Sequence, residues 1–338
     1  MKNTFYVLLV GAFLTILSCK NKEAEFIDIH GFIFSSTYSV RYENSKKITP
    51  DELKKDIEKI LYDFSASLSS YDTTSLLSRI NRNEDLKVDA YIEELYNKSV
   101  MIYEIGGGVF DITVGPLVRA WGFGPDGRKN FSEQKLDSLL DLVGMDKVKL
   151  TNGKIVKSNP NIVLEFNAIA KGFSVDLVAR HFDKLGIKNY LVEIGGELRV
   201  KGTKNGNLWN IGIDKPTDSN VMKGSAGLQA IISITNKSMA TSGDYRRFYI
   251  EDGVKYSHTI DPRTGYPVRN KLLSVTAFAD ECGIADGIAT VCMVLGHEKA
   301  IEFLDKHPEY SAFMVYSGDG GEFETWMSES LKEYIVEE

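Results

Sequence analysis

The stretch from Gly243 to Pro267 constrains the fold more than any other part of the chain. Tyr249-Ile250 and Val254-Lys255-Tyr256 are β-prone runs, and Asp252-Gly253 between them predicts a hairpin turn. The second strand delivers Ser257, His258 and Thr259, then stops at Asp261-Pro262-Arg263-Thr264-Gly265. That pentapeptide is turn chemistry, because Pro262 fixes φ and Gly265 tolerates a positive φ. One of only five histidines in the chain is thereby placed at a strand end beside a polar turn. Three arginines and four acids share the stretch. Two readings stay open on these residues alone, a ligand site and a hydrogen-bonded hairpin corner.

Composition bounds the rest. At 338 residues, with 43% hydrophobic and 26% charged side chains, the chain has a globular composition and length for one large domain or two ordinary ones. A formal charge of −7 argues against a nucleic-acid partner, which needs a basic face. It leaves room for a small anion held by a local basic cluster. At the N-terminus, Lys2 precedes an apolar run from Phe5 to Leu17, which fits a signal-peptide core and falls short of the ~20 residues of a comfortable span. Ile16-Leu17-Ser18-Cys19 resembles a bacterial lipobox. The expected division is a lipoprotein signal peptide over 1–18, a lipidated tether over 19–25 starting at Cys19, and one folded domain over 26–338. An uncleaved anchor and an ordinary secretory signal are the alternatives. Cys282 and Cys292 are ten residues apart on a predicted helix. Ten helical residues rise about 15 Å, too far for a disulfide, so both are expected as buried free thiols.

In chain order, Phe26 to Arg41 alternates as one or two strands. Thr49-Pro50-Asp51-Glu52 opens a helix with a capping box, and Leu53, Ile57, Ile60, Leu61 and Phe64 mark its apolar face. Residues 65–83 read as a polar loop carrying Ser70-Tyr71. A second helix runs from about Ile92 to Ile105 and ends at Gly106-Gly107-Gly108. Ser132 is expected to cap a short helix through Leu142. A strand from Ile162 to Phe166, a helix through Leu185 and a strand from Tyr190 to Ile194 form an expected strand–helix–strand unit. Its glycine-bearing turn matches neither a dinucleotide fingerprint nor a P-loop. Further strands are expected over 208–213, 227–234, 239–241, 273–279 and 312–317, with helices from Ala285 to Leu295 and from Glu298 to Asp305. No repeat and no linker divides the chain, so a single mixed domain is the simplest reading.

Asp286 and Thr290 lie four apart on a predicted helix and share a face. A carboxylate and a hydroxyl suit a hard cation such as Mg²⁺, which takes substrate phosphates for its remaining positions. The competing reading is an N-cap Asp and a Thr bonded to the i−4 carbonyl. Lys171, Arg246, Arg247 and Arg263 could balance a phosphate, and Tyr71, Phe110, Tyr245 and Tyr256 could stack on a ring.

Five blocks, in order, carry a resemblance: Ser70-Tyr71, Gly108 to Leu117, Ala168 to Gly172, Ser257 to Pro267, and Ala285 to Thr290. Together they resemble the ApbE-type FAD:protein FMN transferases, over nearly the whole chain beyond the leader. The resemblance implies an α+β fold, one mixed α/β domain of the ApbE-like (T-fold-like) type. It implies an enzyme that uses Mg²⁺ and FAD to place FMN on a threonine hydroxyl of a target flavoprotein, releasing AMP. Residue by residue, it implies a metal held by Asp286, Thr290 and the main-chain carbonyl of Ala168, with His258 as base. FAD contacts are implied at Tyr71, Phe110, Asp111, Lys171 and Ile260. It also implies lipidation at Cys19 and a periplasm-facing place on the bacterial inner membrane. Arg246 and Arg247 then fall to the hairpin surface, since the family puts the pyrophosphate on the metal. The chain departs from the family at Phe34-Ser35-Ser36, where Met-Gly-Thr is common, and at Glu165-Phe166-Asn167, where Asp-Leu-Gly is common. Two other outcomes keep the same pocket: a Mg²⁺-dependent FAD pyrophosphatase, and an envelope flavin-binding lipoprotein without turnover.

Overall fold

The structure is a computed structural model that describes residues 25–124, 135–216, 227–244, 248–251 and 254–337. Residues 1–24, which include Cys19 and the expected leader, and Ser132, Tyr245, Arg246, Arg247, Asp252 and Gly253 lie outside the described residues.

The strands in chain order are β1 (Phe26–Ile33), β2 (Ser36–Glu43), β3 (Val148–Thr151), β4 (Lys154–Lys157), β5 (Tyr190–Ile194), β6 (Glu197–Lys201), β7 (Trp209–Asp214), β8 (Leu228–Ile234), β9 (Lys237–Gly243), β10 (Phe248–Glu251), β11 (Val254–Ser257), β12 (Leu272–Ala279), β13 (Ser311–Ser317), β14 (Phe323–Met327) and β15 (Ile335–Glu337). Eight of them form one sheet in the order β1-β2-β5-β6-β9-β12-β13-β14, antiparallel at every pairing. The helices are α1 (Pro50–Leu68), α2 (Leu76–Asn81), α3 (Ala90–Ile105), α4 (Gly115–Ala120), α5 (Leu136–Leu140), α6 (Asn167–Lys184), α7 (Cys282–Leu295) and α8 (His297–Lys306).

The pleat of the large sheet sorts its side chains between two layers. Val275, Ala277 and Ala279 of β12, with Ala312 and Met314 of β13, pack on α3, α6, α7 and α8. Phe278, Phe313 and Val315 face the other way, onto a three-stranded sheet of order β15-β8-β7. The α6 helix is the pivot of the helical layer. Ile169 and Phe173 enter one core cluster, while Val175, Val178, Ala179 and Phe182 enter another with α1, β2 and β5. Burying each larger apolar side chain contributes about 1.5–3 kcal/mol. That outweighs the roughly 1 kcal/mol that an internal glycine costs this helix at Gly172. The glycine is required there, because a Cβ would lie 2.3 Å from the Cys282 carbonyl oxygen.

Some local expectations hold and others change. Phe26 to Glu43 is a two-strand hairpin whose turn residues, Phe34 and Ser35, sit at φ 53° and 57°. The α1 helix continues to Leu68 and α2 spans Leu76–Asn81, so only residues 69–75 and 82–83 of the predicted loop remain outside the helices. Thr49 caps α1 by position only: its hydroxyl donates to Glu52 Oε2 and no backbone N–H reaches it. Ile162 to Phe166 alternates in burial as a strand would, yet it joins no ladder. Asn81 substitutes for one, its amide bridging both the N–H and the carbonyl of Leu164 at 2.8 and 3.0 Å, and Ile112 accepts from Glu165 N–H. The expected strand–helix–strand unit is therefore an extended segment followed by α6 and β5. Cys282 and Cys292 are buried free thiols, as their spacing requires.

Candidate active site

One cavity of about 730 Å³ gathers pieces of the chain that are remote in sequence. Its walls come from the β1–β2 turn, the end of α1 and the loop after it, the segment from Val109 to Phe123, the start of α6, the end of β9, the segment after β11 and the middle of α7. All nine residues that the motifs single out within the described chain line it: Tyr71, Phe110, Asp111, Ala168, Lys171, His258, Ile260, Asp286 and Thr290.

The α7 helix begins at Cys282, with Glu281 as its N-cap. Asp286 is therefore one turn inside the helix, which excludes the N-cap reading. Its side chain is buried, and Oδ2 accepts the Gly172 N–H of α6 at 3.0 Å. Thr290 follows one turn later, half-buried, on the same cavity wall. Ala168 brings its backbone from the first turn of α6. The available donors are a carboxylate, a hydroxyl and a main-chain carbonyl, all oxygen. Among the described residues no group of three His, Cys, Asp or Glu side chains could hold a metal. This set suits a hard cation that shares its coordination with a phosphate, and it does not suit zinc.

Lys171 projects from α6 to Glu197 Oε2 at 2.7 Å and donates to the Gly195 carbonyl at 3.2 Å. The Glu197 carboxylate is only 2% exposed and itself lines the cavity. Asp111 is buried at the start of a single 3-10 turn. Its Oδ1 accepts both the backbone N–H and the hydroxyl of Thr113, at 2.7 and 2.6 Å. Burial pushes its carboxyl above the usual 3.8, and the two Thr113 bonds pull only part of the way back.

His258 stands one residue past β11, with its ring edge-on to Phe123 at 6.4 Å. An aromatic stack fixes the hairpin that carries it. Tyr249 and Tyr256 pair across β10 and β11 with centroids 5.1 Å apart, Phe123 stacks on Tyr249 and Trp121 on Tyr256. Trp121 also donates its indole N–H to the Gly265 carbonyl at 2.7 Å, so the turn after His258 is held from α4. Gly265 has φ 77°, and a Cβ there would meet Leu136 at 2.6 Å. Tyr256 is thus a structural member of this stack, and Arg263 is paired with Asp261 through two nitrogens at 3.0 and 2.8 Å. Neither Tyr256 nor Arg263 lines the cavity, although the sequence allowed each a ligand contact.

The sequence profile of the ApbE family matches residues 34–314. The chain belongs to the ApbE family. It is 36% identical to the FAD:protein FMN transferase of Haemophilus influenzae over 339 aligned positions, covering 96% of each chain. Among solved structures, the flavin transferase ApbE from Vibrio cholerae superposes with a TM-score of 0.82 at 34% identity, over 92% of this chain and 99% of that one. The apo flavinyl transferase ApbE of Pseudomonas stutzeri gives 0.83 at 32% identity, over 92% and 97%.

This ApbE chain also uses wall residues that motif reading passed over: Phe64 and Leu68 of α1, Phe123, Glu197, and Thr241 to Gly243 at the end of β9. Leu68 lay in a predicted loop. The Thr-Ser-Gly run, small and polar where a buried strand stops, was the one available signal. Phe34 and Asn167, two of the departures from the family pattern, both line the cavity.

Proposed function

We propose that this chain is an FAD:protein FMN transferase that uses Mg²⁺ to move FMN from FAD onto a threonine hydroxyl of a target flavoprotein, releasing AMP. The observation that carries this reading is the convergence of Asp286, Thr290, Ala168, Lys171 and His258 on one cavity large enough for a dinucleotide-sized ligand. The family membership and the named relatives support the flavin-transfer part of it.

His258 accepts the proton of the incoming threonine hydroxyl, a task suited to an imidazole near neutral pH. The threonine oxygen bonds to the FMN phosphorus, the phosphoanhydride P–O bond breaks, and its electron pair leaves with AMP. Asp286, Thr290 and the Ala168 carbonyl would hold Mg²⁺, and the ion would supply positive charge to phosphate oxygens that gain electron density. Lys171, ion-paired with Glu197, presents an ammonium hydrogen-bond donor at the wall. Tyr71, Phe110, Asp111 and Ile260 orient the flavin nucleotide, so that positioning provides the rest of the rate. Residues 26–338 form the catalytic domain in this reading, behind the 1–18 leader and a tether lipidated at Cys19 that faces the periplasm.

The test is to incubate the 26–338 protein with FAD and Mg²⁺, with and without a threonine-containing flavoprotein fragment, and to follow AMP and covalent flavin. Covalent flavin on the fragment is expected. AMP with free FMN in its place would make the enzyme a pyrophosphatase, and neither product would leave a flavin carrier. His258→Ala is expected to bind FAD and lose transfer, and Asp286→Ala to lose all Mg²⁺-dependent activity. Full transfer by the His258 variant would remove the base assignment.

A further inference from the structure

Asp176 is fully buried on α6 and plays no part in the chemistry above. Its two carboxylate oxygens accept the N–H groups of Cys282 and Gly283, each at 2.8 Å. These are the first two residues of α7, and the helix's own N-cap residue, Glu281, makes no side-chain cap. The cap that an α-helix start requires is thus supplied by a neighbouring helix. Arg199 of β6 backs the same carboxylate at 3.2 Å. One turn earlier on α6, the bond runs the other way, from the Gly172 N–H to Asp286 Oδ2 at 3.0 Å. The two helices are therefore pinned at two levels, which fixes both the axial register and the rotation of α7 against α6.

That register matters because the oxygen donors are divided between the helices, with Ala168 on α6 and Asp286 and Thr290 on α7. We propose that Asp176 is a positioning residue for the divalent cation: by capping α7 from α6 it sets the spacing between the Ala168 carbonyl and the Asp286–Thr290 pair. This rests on the metal reading given above. Asn at 176 is nearly isosteric, but its amide NH₂ would face one of the two N–H groups, so one end of the clamp opens.

The experiment uses Mn²⁺ as a paramagnetic stand-in for Mg²⁺, titrated against the protein with FAD present and followed by the EPR signal of free Mn²⁺. A His258→Ala background keeps FAD intact throughout. Asp176→Asn is expected to weaken Mn²⁺ binding by roughly 10- to 100-fold, as loss of a group that orients metal ligands does, with FAD affinity in the absence of metal unchanged. A purely structural role would lower the melting temperature and leave the metal affinity of the folded protein at the parental value, and that result overturns the proposal. Asp286→Ala serves as the reference. If it too binds Mn²⁺ like the parent, the metal reading fails and the proposal with it. If Asp176→Asn yields no folded protein, Asp176→Glu, which shifts the carboxylate by one methylene, carries the same expectation and the same refutation.

Discussion

Asp111 places a carboxylate where ionisation is costly. Its folded pKa lies above the usual 3.8 because burial disfavours the charge. The folded state therefore holds its proton to a higher pH than the unfolded chain does. Stability from this group is full below 3.8, falls as the pH rises towards the folded pKa, and stays reduced above it. Both Thr113 bonds end on Oδ1, which an asparagine carbonyl reproduces. Asp111→Asn is expected to be more stable than the parent at pH 7, with the difference closing as the pH drops below 3.8, in urea midpoints taken across that range. If Asp111 also contacts the nucleotide, the same variant binds FAD more weakly, a trade of stability against function. A less stable variant at pH 7 would mean that the ionised form is better compensated than its burial implies. The place of His258, Lys171, Asp286 and Thr290 on the cavity wall was legible because they stand in compact motif blocks. Phe64, Leu68 and Glu197 were not, because a residue reaches a cavity wall through packing that its sequence neighbours do not record.

At the scale of elements, the α6–α7 contact is the tightest constraint. Gly172→Ala would normally gain about 1 kcal/mol of helix propensity. Here the new methyl meets the Cys282 carbonyl, a backbone atom that cannot swing aside. Overpacking of this kind costs about 1–3 kcal/mol, so a net loss of stability is expected in chemical denaturation as the two helices separate. Unchanged stability would show that the helices can slide apart freely. Elements with local signals were legible. The β10–β11 pairing, the Gly195-Gly196 turn between β5 and β6, and the helix started by Pro50 all appear where their residues put them. Ile162 to Phe166 misled because alternating burial is shared by a strand and by any extended segment crossing a core. What decides between them is the backbone partner, here the side chain of Asn81, 83 residues before Leu164.

For the molecule as a whole, the order of the large sheet was not legible. β6 pairs with β9 and β9 with β12, and long excursions between them hide those neighbours from any local reading. The cavity was largely legible, because its motif blocks converge there although they are scattered from Ser70 to Thr290. A ligand in that cavity binds the folded chain and has no site in the unfolded one. FAD with Mg²⁺ at about 100 times the dissociation constant is expected to add roughly 2.7 kcal/mol to unfolding. A thermal scan on the His258→Ala protein, where FAD persists, measures it, and no shift would show that the cavity does not take the nucleotide.

The spread of those walls also sets an order in time. Ribosomal synthesis delivers Phe34 and Ser35 first and the Asp286–Thr290 face of α7 last. The strand β12, an inner strand of the large sheet, precedes that helix by only a few residues, from Leu272 to Ala279. A nascent chain halted before residue 282 carries the other cavity walls with neither the Asp286–Thr290 pair nor the helix on which Asp176 and Gly172 close. The cavity is therefore completed only near the end of synthesis, and any truncation that removes α7 removes its Asp286–Thr290 wall while leaving the first four motif blocks intact.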